Sequence, residues 1–269
     1  NYKKEILLIK VMNVDIILIT YNQEKYIAQA VESILMQQVN NDIQLRVIIA
    51  DDCSKDSTLE IIKSYEDKSP YPFIYLKGEN NLGHVLNYKR AFEECKGDYV
   101  AILEGDDYWT CPLHIQKLVD FLELHKECVL CTTTPVFYYN EKEFNIDYYL
   151  HIKSAVEYYT TADFLKNNCI ANLSACIIRC KAMKQISQNI YSSTLLDWIF
   201  YISLSEHGLL ARLKEITSVY RVHSNGLWSR LNETEYDAYN VKILNEYNNL
   251  LNGRISDGVV AYENKIKKN

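Results

Sequence analysis

The chain is expected to fold as an α/β protein, with a Rossmann-like, mostly parallel central sheet flanked by helices and a smaller C-terminal part. Three observations predict this. In the first half, short apolar runs alternate with segments of helical period, the pattern of strands joined by right-handed crossovers. The runs lack a polar face, as strands covered on both sides do. Finally, Thr20-Tyr21-Asn22, Asp51-Asp52, Asn81–Gly83 and Glu104–Asp107 all fall where a run ends or in the turn after it. Sheets of this kind bind ligands beyond the carboxyl ends of their strands.

Taken in order, Val14–Thr20 reads as the first strand, and Glu24–Met36 as a helix with apolar residues at 27, 30, 31, 34 and 35. Leu45–Ala50 is the second strand. Asp56-Ser57-Thr58 offers capping oxygens for the helix that carries Leu59, Ile61 and Ile62. Phe73–Leu76, a glycine turn and a helix to Glu94 follow, then the strand Tyr99–Leu103 and the helix Leu113–His125. Beyond this the pattern loosens. Cys128–Tyr139 reads as one strand, Phe144–Tyr159 as a Tyr-rich segment without a period, and Thr161–Asn167 as a short capped helix. Leu173–Arg179 is a strand, Leu195–His207 a helix stopped by Gly208, and Ile216–His223 a strand. Glu233–Leu251 has the spacing of an amphipathic helix that packs on the body or on a second copy. Residues 1–11, ahead of Met12, are expected to be an upstream extension or cloning remnant outside the working fold.

The 269 residues suffice for one large domain, or one with an appendage, and for a sizeable core. A net charge of −6 argues against sequence-independent nucleic-acid binding, which needs a basic face. No apolar run is long enough to span a bilayer and nothing reads as a secretory signal, so a cytoplasmic location is expected. The eight cysteines are then expected as reduced thiols. Cys128 and Cys131, with Cys176 and Cys180, would make a zinc site on paper, but their spacing along a strand turns Cys128 and Cys131 to opposite faces. Packed small hydrophobes are the expectation.

Glu104, Asp106 and Asp107 place three carboxylates within four positions at a strand end. Charges so close repel one another and lose hydration on burial. A hard divalent cation, Mn²⁺ or Mg²⁺, offsets both effects and also grips phosphate oxygens. A nucleoside diphosphate site is therefore expected here.

The ordered set of motifs resembles the family 2 glycosyltransferases, which have the GT-A fold. It comprises Ile16–Asn22, Val47–Thr58 with Asp51-Asp52-Cys53-Ser54, Asn81-Leu82-Gly83, Gly97-Asp98-Tyr99 through Asp107, Leu196-Asp197-Trp198 and Tyr220-Arg221-Val222-His223. The resemblance implies a nucleotide-sugar-binding half (12–127), an acceptor-binding and catalytic half with a lid (128–230) and a C-terminal helix and tail (231–269). It implies that Thr20 and Tyr21 contact the base and ribose, Tyr21 offering an aromatic face to uracil, with Asn22 beside them among the nucleotide-binding residues. Asp52 would accept a hydrogen bond from the uracil ring N–H, and the Asn81–Gly83 turn would bring backbone close to the nucleotide. Asp107 is implied as the direct metal ligand, Asp106 as a sugar or ribose contact, and His223 as a further ligand. Asp197 would be the general base that takes the proton of the attacking acceptor hydroxyl. Ser224–Arg230, with Gly226 and Trp228, would be a lid over the donor.

The function so implied is metal-dependent, inverting transfer of one sugar from a UDP-sugar to a glycan or lipid-linked glycan in bacterial surface-polysaccharide assembly. Peripheral attachment at the inner membrane face fits such an acceptor. Two departures stand out: Asn87-Tyr88-Lys89-Arg90 replaces the family's usual Ala-Arg-Asn, and Glu104 replaces an Asp. The Gln-x-x-Arg-Trp motif of processive members is absent. Two alternatives stay open: a sugar-phosphate nucleotidyltransferase, against which Thr20-Tyr21-Asn22-Gln23 stands in place of a basic Gly-rich loop, and a non-catalytic sugar-nucleotide-binding paralogue.

Overall fold

A computed structural model describes residues 11–170, 172–224, 226 and 233–266. Strand β1 (Met12–Thr20) lies between β2 (Ile43–Asp51) and β4 (Tyr99–Glu104), both parallel to it, and β3 (Phe73–Tyr75) adds to β2. The connecting helices are α1 (Ile27–Leu35), α2 (Thr58–Lys63) and α3 (His84–Glu94). The short β5 (Tyr108–Trp109) and α4 (His114–Leu124) follow.

From Cys128 onward the chain extends the same sheet and builds a second one. Strand β6 (Cys128–Thr133) joins the large sheet, while β7 (Val136–Tyr139) and β8 (Glu143–Asn145) leave it; α5 (Asp147–Leu150) and the edge strand β9 (Val156–Tyr159) come next. Helix α6 (Thr161–Phe164), β10 (Cys176–Arg179), α7 (Cys180–Met183), α8 (Asp197–Ser205), β11 (Leu209–Leu213) and β12 (Ser218–Val222) lead to the terminal α9 (Glu233–Leu250) and α10 (Ser256–Ile266). The large sheet runs β3-β2-β1-β4-β10-β6-β11-β9 and the small one β5-β12-β7-β8. Strand β10 is antiparallel to both of its neighbours, β4 and β6.

Two buried layers sandwich the large sheet. Ile16, Leu18, Val47, Ile49, Ala101 and Leu103 pack against α1, α2 and α4, while Ile17, Ile19, Ile48, Val100 and Ile102 pack against α3 and α8. Alternate side chains of one strand thus serve opposite layers, which explains why these runs carry no polar face. Asp15 interrupts the first run and is fully buried. Its carboxylate pairs with Arg46 on β2 and accepts the N–H groups of Lys96 (2.7 Å) and Gly97 (2.8 Å). It thereby fixes the entry to β4. No helix among the described residues is long and apolar enough to cross a membrane.

Several expectations need correction. Cys128–Tyr139 is not one strand but two, divided between the sheets at Thr134-Pro135, where Pro135 has no N–H for a ladder. Cys128 and Cys131 do not face opposite ways. The pairing with β11 steps from Leu209↔Cys128 to Leu210↔Leu130, so one extra residue reverses the alternation and both thiols enter the α4 layer. Cys176 and Cys180 lie in the other layer, which removes the four-cysteine zinc arrangement. No disulfide joins any two of the eight cysteines among the described residues. Strands β5 and β11 and helix α10 went unforeseen. Strand β11 follows Gly208 without the turn signals that announce a strand, and β5 has two residues. The expected extension, residues 1–11, lies outside the described residues save for Val11.

Candidate active site

The carboxyl ends of β1, β2 and β4 meet the loop before α3, the N-terminus of α8 and the end of β12 around a cavity of about 890 Å³. Because β10 runs antiparallel to β4, Asn172 in the approach to it reaches the same rim.

The β4 end is held from several sides. The Asp107 carboxylate is fully buried and accepts hydrogen bonds from the Ser174 hydroxyl (2.6 Å), the Asn172 amide (3.0 Å) and the Arg221 backbone N–H (2.9 Å). The Arg221 guanidinium lies over the rings of Tyr26 and Tyr108 at 5.1 and 4.5 Å from their centroids. It donates to the Asp106 carbonyl and to Gln29. Gly105 leaves no room for a side chain: a Cβ there would lie 2.4 Å from Gln23 Oε1 and 2.9 Å from Thr20 Oγ1.

Asp106 points into the cavity, with Oδ2 3.1 Å from His223 Nε2, and the His223 ring packs on Tyr26 at 4.8 Å. Of the expected metal pair Asp107 and His223, it is thus Asp106 that stands beside His223. Asp107 instead has both oxygens engaged by protein donors. Carboxylate oxygens of Glu104, Asp106 and Asp107 lie within 4.8 Å of one another, the only such trio of metal-ligating groups among the described residues. Burial, then the charges of Asp197, Asp106 and Asp107, push the Glu104 carboxyl well above its ordinary range, and Tyr88 donates to it at 2.9 Å. Burial, with the Asp106 charge behind it, raises Asp107 likewise. An oxygen-donor set so crowded with charge, joined by an imidazole, matches the preferences of Mn²⁺ or Mg²⁺.

The nucleotide-binding candidates fall into two groups. Thr20, Tyr21, Asp52, Asn81 and Gly83 line the cavity, with Tyr21 44 % exposed at its mouth. Asp52 accepts the backbone N–H groups of Leu82 and Gly83, each at 2.8 Å, so it anchors the Asn81–Gly83 turn. Gly83 there has φ +83°, a conformation glycine adopts without strain. Asn22, by contrast, is turned away. Its Oδ1 accepts the Lys55 N–H at 2.7 Å and its own backbone N–H donates to Ser54 Oγ at 2.9 Å, clasping the loop after β2.

Asp197 opens α8 and faces the cavity, as does His84 at the first position of α3. Burial raises the Asp197 carboxyl above its usual range, with the charge of His84 acting against it. Of the expected lid only Ser224 and Gly226 are described; Gly226 lines the cavity and donates to the His223 carbonyl at 2.9 Å. The remaining lid residues, Trp228 included, lie outside the described residues. Sequence reasoning missed His84, Arg221, Asn172 and Ser174. His84 directly follows the Asn-Leu-Gly motif and Arg221 lies inside a quoted one, so both were within reach; Asn172 and Ser174 carry no local signal.

The comparisons with known proteins agree with this architecture. The model of Glycosyl transferase family 2 matches residues 15–186. An uncharacterised Mycobacterium tuberculosis protein is 32 % identical over 213 residues, covering 79 % of this chain and 60 % of the relative, so the chain spans about three fifths of that relative's length. The putative teichuronic acid biosynthesis glycosyltransferase TuaG of Bacillus subtilis is 30 % identical over 218 residues (80 % of this chain, 81 % of TuaG). The Escherichia coli UDP-Glc:α-D-GlcNAc-diphosphoundecaprenol β-1,3-glucosyltransferase WfaP is 28 % identical over 215 residues (80 % and 79 %). Among solved structures, S. aureus TarS 1–349 in complex with UDP-GlcNAc superposes with a TM-score of 0.66 at 19 % identity (87 % of this chain, 66 % of that one). The Pyrobaculum calidifontis mannosyltransferase PcManGT, in complex with GDP-Man and Mn²⁺, gives 0.60 at 13 % (96 % and 65 %). The fold is therefore the GT-A fold of these structures, and the chain belongs to glycosyltransferase family 2.

Proposed function

We propose that this chain is a metal-dependent, inverting glycosyltransferase that moves one sugar from a UDP-sugar to a glycan or lipid-linked glycan acceptor of the bacterial surface. One observation carries the reading. Glu104 and Asp106 at the end of β4, the latter 3.1 Å from His223, and the acid Asp197 at the head of α8 face a single cavity beyond the strand ends. Support for the donor comes from the UDP-GlcNAc in TarS and the UDP-Glc in the name of WfaP; support for the acceptor comes from WfaP and TuaG.

Asp106 and His223 would hold a Mn²⁺ or Mg²⁺ ion, and the bound ion would supply positive charge to the diphosphate oxygens. Tyr21 offers its ring to the base at the cavity mouth. Asp52 holds the Asn81–Gly83 turn against the nucleotide and keeps acceptor capacity for a ring N–H. Asp197 takes the proton of the acceptor hydroxyl. The oxygen so freed forms a bond to the anomeric carbon. On the opposite side the bond from that carbon to the diphosphate oxygen breaks, its electron pair leaving with UDP, and the anomeric configuration inverts.

A thermal-shift series tests the donor and metal together, since a selective ligand raises Tm by mass action. UDP and UDP-sugars are expected to raise Tm in the presence of Mn²⁺, and more than GDP or ADP do. No rise with any uridine nucleotide, in Mn²⁺ or Mg²⁺, overturns the reading.

A further inference from the structure

Thr20 Oγ1, Gln23 Oε1, His84 Nε2, Asn172 Oδ1 and Asp197 Oδ1 all belong to residues lining the cavity, and each is buried without a hydrogen-bond partner in the protein. Buried polar atoms are rarely left so. Two of the five face each other: His84 Nε2 lies 3.9 Å from Asp197 Oδ1. That is an ion-pair distance but too long for a hydrogen bond, so neither atom is satisfied as it stands.

Both residues are fixed from behind. His84 follows the turn that Asp52 clamps, and its ring stands edge-on to Tyr88 with centroids 5.0 Å apart. Tyr88 is tied in turn to Glu104. The head of α8 is pinned by Trp198 Nε1 to the Phe164 carbonyl (2.7 Å) and by the Tyr247 hydroxyl to the Leu195 carbonyl (2.8 Å). Two rigid helix ends therefore present a donor and an acceptor to one another across the cleft.

We infer that His84 is the positioning residue for Asp197: its Nε2–H holds Oδ1 and leaves the other carboxylate oxygen to the acceptor hydroxyl. The inference rests on the reading of Asp197 as the base. A carboxylate with Glu104 and Asp106 in the same cavity needs a partner, or it turns away or picks up a proton before the acceptor arrives. Burial pushes Asp197 in that direction and His84 opposes it. No proton passes to His84. The hydroxyl proton ends on Asp197, and His84 sets which oxygen receives it.

Steady-state hydrolysis of UDP-glucose or UDP-GlcNAc by the full chain, with water in place of the acceptor, gives the kinetic test. His84→Ala is expected to lower kcat about ten- to a hundredfold, as loss of a well-placed group does, with KM for the donor unchanged. His84→Gln, whose amide N–H reaches as far as Nε2, should recover much of the loss. In an Asp197→Asn background, His84→Ala should cost nothing more. In nitrogen NMR of the histidine-labelled chain, the His84 proton should sit on Nε2 and redistribute toward Nδ1 in Asp197→Ala. A His84→Ala variant with unchanged kcat, or with a raised KM alone, overturns the inference, as does an unchanged tautomer in Asp197→Ala. Full activity of Asp197→Asn would instead sink the base assignment, a separate failure.

Discussion

Asp106 and Asp107 are neighbours in sequence with unlike surroundings, and the difference is measurable. Asp107 takes three hydrogen bonds in a site closed to water, so Asp107→Ala strands the donors of Ser174, Asn172 and Arg221. A buried donor left without its acceptor costs about 1–3 kcal/mol in the general case. Urea unfolding of Asp107→Ala should show a stability loss of at least that size, and activity should fall with it. Asp106→Ala removes a charge from a crowded cluster. It should leave Tm undiminished while abolishing the Mn²⁺-dependent rise in Tm with UDP; a retained metal effect would exclude Asp106 as a ligand. The acidic motif itself was plain in the sequence. Which acid faces the cavity was not, because that depends on the partners of Asp107, and Asn172 and Ser174 reach it only through a strand of reversed direction.

At the scale of elements, Arg90 shows what replaces the helix motif usual in the family. Its guanidinium donates to Asn87 Oδ1 (2.7 Å), to the Asp51 carbonyl (2.6 Å) and to the Lys77 carbonyl (3.3 Å), while Asn87 donates to the Ala50 carbonyl (2.8 Å). Helix α3 is thus stapled to the ends of β2 and β3, where Asp52 must be held. Arg90→Met keeps the stem and loses the fork. It should destabilise the chain by about 1–3 kcal/mol and weaken UDP binding in calorimetry; unchanged UDP affinity would show that the staple does not govern the nucleotide end. The first four strands and their helices were legible because each completes its pattern locally. Strand β6 was misread for the opposite reason: its bulge exists only against β11, and no run of residues in Cys128–Thr133 announces it.

For the molecule as a whole, His114 and Asp15 lower stability in acid, while the raised carboxyls of Glu104, Asp107 and Asp197 take up protons in the folded chain and act the other way. Burial holds the His114 imidazole down to about 3, against an ordinary value near 6.5; it bonds Thr217 Oγ1 through Nδ1 (2.7 Å) and stacks on Trp109. Below pH 6.5 the unfolded chain takes a proton that the folded chain refuses. The His114 contribution to stability therefore falls as pH drops from about 6.5 toward about 3, by about 2 kcal/mol at pH 5. Burial pushes the Asp15 carboxyl up, but Arg46 and the N–H groups of Gly97 and Lys96 outweigh it and leave it below its ordinary 3.8. Its contribution is present above pH 3.8 and is lost only as pH falls further. Measured against His114→Asn, in which the other groups are unchanged, the chain should lose denaturant midpoint progressively as pH falls from 6.5 toward 3. An equal slope in that variant would exclude His114 as the source.

Strand β10 sits between β4 and β6, and hydrogen-bonds to both, although it follows β6 by more than forty positions. Until Cys176–Arg179 arrives, β4 is an open margin of bare N–H and C=O groups flanked by Val100 and Ile102, an invitation to pair with other chains. A nascent or truncated polypeptide ending near residue 127 is then exposed to clumping even though most of its strands are present, and expression of 12–127 alone should give insoluble material, whereas 11–266 stays dispersed. Assembly of the sheet waits on a distant segment, which makes refolding slow for a protein of this size and sensitive to concentration.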